Sequence, residues 1–183
     1  MFHCITQDII DNLPSISIDG ITQDENRFVN DWLKFALQYS KDCNNSNEIG
    51  VMLDKTDWNN YDYVCGTKNK VVFNTAKMIE WLDKGNNNLI LIHTHPSNNI
   101  FSDKDLYNFC RTVAENTLIS VGNKGTMYLI QKMEGFDKYK VIQYYSESTR
   151  LNKHKLPRRK ILEFTLITYQ DKLNIKFEKE TIS

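Results

Sequence analysis

The stretch LILIHTHPSNNIFSDKD, residues 89–105, decides how the rest of the chain is read. Four apolar residues, Leu89 to Ile92, run into His93-Thr94-His95 and stop at Pro96, the form of a buried strand closed by a residue that cannot donate to a ladder. Alternate residues of a strand share a face, so His93 and His95 present their imidazoles side by side while Thr94 points away. Ser102-Asp103-Lys104-Asp105 then precedes Leu106, Phe109 and Val113, which reads as a helix start with Ser102 as N-cap and Asp105 as the third helical residue. A capping box by itself accounts for a serine and an acid at that spacing, with Asp103 a first-turn charge. The same Asp105 carboxylate, turned outward beside the strand end, is also the natural third ligand for a metal held by His93 and His95. Two imidazoles and one carboxylate leave a fourth tetrahedral position for water, the layout of a catalytic rather than a structural zinc.

Hydrolysis at such a site also needs a base to take the proton of water and pass it to the leaving amine. Glu48 is the best placed, because EIGVMLD from Glu48 onward reads as a buried strand of the same sheet. Glu80 falls instead on a helix face, beside Met78 and Trp81.

Around this centre the sequence predicts alternating helices and strands. Phe28, Val29, Trp32, Leu33, Phe35, Ala36 and Tyr39 recur at helical spacing, so a helix is expected over residues 24–41. Strands are expected at 61–65 and 70–73 about a turn at 66–69, then a helix capped by Asn74 or Thr75 and closed by Gly85. After the helix expected over 102–114, strands are read at 117–121, 126–131 and 139–144. A last helix is expected through Ile161, Leu162, Leu166 and Tyr169, followed by an edge strand at 173–177. Residues 1–23 read as a lead-in with one short strand at 16–18, residues 24–145 as the core, and 146–183 as a basic connector with a helix and edge strand packed on it.

Glu48, His93-Thr94-His95-Pro96 and Ser102-x-x-Asp105, in that order, resemble the JAMM metalloprotease family, the catalytically competent branch of the MPN domains, over about residues 24–144. The resemblance implies an α/β fold with a mixed central β-sheet flanked by helices, of the cytidine-deaminase-like kind. It implies that His93, His95 and Asp105 bind Zn2+, that Glu48 is the general acid/base, and that Ser102 helps to stabilise the tetrahedral oxyanion. The substrate would then be a protein or peptide, cut at a peptide or isopeptide bond, with ubiquitin-like proteins among the candidates. Six residues, Pro96 to Phe101, separate His95 from Ser102 where the family has seven, and Gly50 lies two after Glu48 where the family has its glycine three after. The shorter loop resembles bacterial and phage-encoded members. A toxin or effector module using the same zinc site, and a non-catalytic MPN scaffold with a basic C-terminal surface, are the other readings.

Composition narrows the remaining classes. Of 183 residues, 40% are hydrophobic and 25% charged, enough for one packed domain. Lys+Arg and Asp+Glu cancel at 23 each, which argues against nucleic acid or an anionic membrane as the general partner. Basic residues concentrate between Arg150 and Lys160, ahead of a helix whose dipole they oppose, a placement that suits an acidic partner. Cys4, Cys43, Cys65 and Cys110 form no C-x-x-C pair and are expected to be buried free thiols, while His3 and His154 lack companions and read as surface residues. No signal peptide precedes the domain and no segment approaches the ~18 apolar residues of a membrane span, so a cytoplasmic protein is expected.

Overall fold

The sheet that carries the site takes strands from the middle of the chain and one edge strand from its C-terminal end. The computed structural model describes residues 3–182; Met1 and Phe2, which begin the expected lead-in, lie outside the described residues. Its elements run α1 (Gln7–Asp11), α2 (Gln23–Cys43), β1 (Ile49–Asp54), β2 (Tyr61–Cys65), α3 (Ala76–Lys84), β3 (Leu89–His95), α4 (Asp103–Arg111), β4 (Glu115–Gly122), β5 (Met127–Lys132), α5 (Lys138–Asn152), α6 (Arg158–Leu173) and β6 (Ile175–Glu180). Six strands form one mixed sheet in the order β2-β1-β3-β4-β5-β6, parallel between β3 and β4 and antiparallel elsewhere. The expected α/β class, a mixed sheet flanked by helices, is therefore what the chain forms.

Strand alternation sorts the apolar residues onto two faces. Ile90 and Ile92 of β3 join Val51 of β1 and Ile119 of β4 against Val29, Leu33, Ala36 and Leu37 of α2. Each fully buried Val or Leu there contributes roughly 1.5–3 kcal/mol of transfer free energy. On the opposite face Leu89 and Leu91 meet Met52, Phe101, Leu106, Phe109, Leu162 and Leu166, so α3, α4 and α6 cover that side. His93 and His95 continue the row of Leu89 and Leu91, which puts both imidazoles on the α4 face.

Four expectations are corrected. Residues 16–18 form no strand: the Ile16 and Ile18 backbones are satisfied in both directions by the side chains of Asn30 and Asn26 on α2, which replace a neighbouring strand. Residues 70–73 pair only through the Thr67–Lys70 bridge, then cross Gly50 of β1 so closely that a Cβ there would lie 2.8 Å from Val71. Residues 139–144 are helical, because Asp137 caps α5 by accepting from the Tyr139 and Lys140 N–H groups, which overrides the β-prone residue types of YKVIQYY. Of the four cysteines, all free, only Cys110 is buried; Cys4, Cys43 and Cys65 are exposed.

The expected helix over residues 24–41 starts with a Thr22–Glu25 capping box, and the helix after 70–73 has Thr75 as its cap and Gly85, in the left-handed region, as its stop. Helix α4 ends at Arg111, three residues short of the expectation, since Glu115 already begins β4. The division expected at 145/146 crosses α5, and the segment beyond it is integral: Leu162, Leu166 and Leu173 lie in the core and β6 pairs with β5 along its length. Likewise Ile5, Ile10, Leu13, Ile16 and Ile18 of the lead-in are buried against α2.

Candidate metal centre

Backbone bonding sets each side chain of the site before any side chain meets another. Gly50 pairs with His93 in the antiparallel β1–β3 register, so two residues further along Glu48 comes alongside His95. The β1–β2 pairing extends past its strand ends to fix Glu48 itself: its N–H donates to Thr67 O (3.1 Å) and its C=O accepts from Gly66 N (2.7 Å). Thr94, on the opposite face, locks the same corner by accepting from Ile49 N (2.8 Å) and donating to Asn47 O (3.3 Å).

The loop between His95 and Ser102 is short and held at both ends. Asn98 takes a left-handed conformation (φ 53°), and its Oδ1 accepts from the Lys124 and Thr126 N–H groups while its amide donates to Thr126 Oγ1. His95 O accepts from both Asn98 N and Asn123 N, each at 3.0 Å. Gly122 allows this approach, since a Cβ there would fall 2.1 Å from Asn98 Oδ1. Ile100 and Phe101 then anchor the loop in the core and deliver Ser102 to the start of α4.

The capping box forms as expected. Ser102 N–H and Ser102 Oγ–H both donate to Asp105 Oδ2 (2.7 and 2.6 Å), and Asp105 N–H donates to Ser102 Oγ (3.2 Å). The cap and the ligand reading turn out to be compatible: the same Oδ2 lies 3.8 Å from His95 Nε2, too far for a hydrogen bond and close to the spacing of two ligands on one centre. Asp103 is turned elsewhere, accepting from Tyr145 Oη (2.5 Å) and Arg158 (2.9 Å).

His93, His95 and Asp105 each offer a ligand atom, all within 4.8 Å of one another. The two rings stand 4.8 Å apart at 61°, and His93 stacks on Phe101. Nε2 of both histidines is buried without a hydrogen-bond partner, an arrangement that costs free energy unless something else meets the lone pairs. Tetrahedral zinc with bonds near 2.0–2.1 Å needs donors about 3.3 Å apart, so the widest pair of the set would have to contract by about 1.5 Å.

Electrostatics agree with ligand and base roles. Burial pushes His93 down to about 4, helped by His95 and opposed by Asp105, which leaves a neutral imidazole, the form able to ligate a metal, at neutral pH. Burial works against the charge of Asp105, but His95, His93 and the Ser102 hydrogen bonds outweigh it and hold the carboxyl far below its ordinary range. Burial pushes Glu48 up to about 7; Asp105 adds to this, while His95, the Val71 backbone N–H and Arg159 hold it back. Glu48, His95, Ser102 and Asp105 all line one cleft of about 520 Å³.

Two neighbours were not anticipated from sequence. Ser120 pairs with His93 across the parallel β3–β4 register, and its buried Oγ also lacks a hydrogen-bond partner. Arg159, read in the sequence only as part of the basic run, lines the cleft wall. Within that run His154 is exposed, whereas His3 is half-buried, its N–H donating to Pro96 O. Among the described residues no helix is long and apolar enough to cross a membrane. No family model, no curated protein and no solved structure matches the chain. The class defined by fold and site is thus an α/β protein with a three-donor His-His-Asp cluster, of which His95 and Asp105 share one cleft with Glu48, a carboxyl of raised pKa.

Proposed function

We propose that the protein is a zinc-dependent peptidase or isopeptidase of JAMM type, its mixed sheet and flanking helices being an MPN-like fold. The observation that carries this reading is a pair of buried imidazole nitrogens without partners, gathered with one carboxylate at a cleft that His95 and Asp105 share with Glu48. His93, His95 and Asp105 would hold the ion. Zinc bound there would supply a Lewis acid that polarises a carbonyl and brings the pKa of water to about 7.

The rest of the chemistry belongs to the chain. Glu48, with its carboxyl pushed up to about 7, is matched to taking a proton from water and giving it to the departing amine near neutral pH. Ser102 holds Asp105 through its backbone N–H as well as its hydroxyl, so the hydroxyl can turn to the cleft and donate to the developing oxyanion without releasing the ligand. Phe101 and the core behind His93 keep water from that side of the site. Proteins and peptides, ubiquitin-like ones included, are the substrate class.

Metal analysis and one variant test this. Purified protein should carry about one zinc per chain and His95→Ala should lose it, while Glu48→Gln should keep zinc and lose at least about a hundredfold in hydrolysis of a peptide and ubiquitin-like fusion panel. Wild-type protein that cannot be loaded with zinc refutes the site, and a fully active Glu48→Gln refutes the base.

A further inference from the structure

The cleft is walled by cations. Lys68 and Lys70 come from the turn after β2, Lys104 from the first turn of α4, and Arg159 from the first turn of α6. Against them stand two carboxylates, Glu48 and Asp105, and Asp105 is already engaged by Ser102. A chain whose charges cancel overall has concentrated positive charge where a substrate would enter.

The three consecutive basic residues that open α6 divide by direction. Arg158 pairs with Asp103 at 2.9 Å and Lys160 with Glu163 at 3.0 Å. Arg159 instead turns into the cleft, half-buried, where it donates to the neutral Ser97 Oγ at 3.3 Å and has no ion-pair partner among the described residues. Its planar fork of donors matches a carboxylate, and partial removal from water strengthens the attraction to an anion placed there.

We propose that Arg159, supported by Lys104 and Lys70, binds a substrate carboxylate in this cleft, and so selects peptides with an acidic side chain or a free C-terminus at that place. This rests on the metallopeptidase reading above. A cleft of about 520 Å³ has room for the few residues this requires. A carboxylate fits better than a phosphate because an amide-cutting site takes polypeptide, and because Glu48 and Asp105 repel a doubly charged group more strongly.

Four fluorescein-labelled probes, titrated against zinc-loaded Glu48→Gln protein by fluorescence anisotropy, test the inference. They are an alanine hexapeptide with a free C-terminus, its C-terminal amide, the amide with one internal glutamate, and a dT hexanucleotide. At least one carboxylate peptide should bind tenfold or more tightly than the uncharged amide; which one identifies the source of the carboxylate. Adding Arg159→Gln should bring the two within about twofold, and Arg159→Lys should restore only part of the difference. Equal affinity for acid and amide, a preference that survives Arg159→Gln, tightest binding of the oligonucleotide, or no carboxylate binding at millimolar peptide each overturns it. Zinc content and wild-type turnover separate the two proposals: an active zinc protein indifferent to Arg159 sinks only this one. A zinc-free protein with an Arg159-dependent preference sinks the metallopeptidase reading instead.

Discussion

Replacing His93 by leucine should stabilise the metal-free protein while destroying its response to zinc. His93 is 3% exposed, stacks on Phe101, and has its Nε2 buried without a partner. An unsatisfied buried polar atom costs about 1–3 kcal/mol, and leucine is close enough in volume that repacking returns about 1 kcal/mol or less of that gain. The expected net gain of about 1 kcal/mol is a rise in Tm of roughly 2–4 °C for a chain of this size. Wild type should behave in the opposite way: free zinc at a hundred times Kd adds about 2.7 kcal/mol, or roughly 5–10 °C. Thermal unfolding followed by circular dichroism, on chelator-treated and zinc-loaded samples, reads both quantities. The order of stability should therefore invert between the two conditions. A metal-free His93→Leu protein melting several degrees below wild type, or one that keeps the full zinc shift, would refute the view that His93 is a ligand held in waiting rather than a core residue.

Thr94→Val leaves the Ile49 N–H buried without its acceptor and should cost about 1–3 kcal/mol in chemical denaturation, with hydrolysis falling because Glu48 is the next residue; unchanged stability would show that the cross-tie is dispensable. Gly122→Ala drives a Cβ into Asn98 and should shift the loop that spaces His95 from Ser102, so zinc affinity measured by competition with a chromophoric chelator should fall at least about tenfold though every ligand is intact. Glu115 lies buried beside Lys132, and burial, against the opposing pull of that lysine, raises its carboxyl to about 8. The folded state then keeps a proton that the unfolded state has lost above its ordinary value of 4.5, so stability should decline as pH rises from there toward 8. Glu115→Gln should remove that part of the slope, and parallel curves for variant and wild type would contradict the assignment.

How much of this was readable in the sequence depended on whether local rules or tertiary packing made the decision. Strand β3 and the start of α4 were legible residue by residue, because side-chain alternation and a capping box are local rules, and they delivered His93, His95, Ser102 and Asp105. Glu48 was legible because a strand pairing could be assumed, although only the register shows it beside His95. Helix α5 was not, since YKVIQYY is rich in β-prone residue types and Asp137 decides for the helix through its cap. Residues 16–18 read as a strand from two isoleucines flanking Ser17, while the partners that satisfy their backbone are asparagine side chains on α2, which no local rule announces. Ser120 offered no signal at all within an apolar strand, and the inward turn of Arg159 depends on how α6 is rotated against the core.

The cleft draws its two halves from different kinds of scaffold. Glu48, His93, His95 and Asp105 are tied together by sheet register, by the Thr94 cross-tie and by the Asn98 latch, so a change in any of these supports is felt by all of them. The side chains of Lys70 and Arg159 take no part in those ties, one standing on an exposed turn and the other on a helix that arrives from the far end of the chain. Drift at those positions leaves the reactive geometry in place. On the metallopeptidase reading, substitutions at these two positions would change which substrates are taken and leave the chemistry unaltered, and a protein engineer can begin from them.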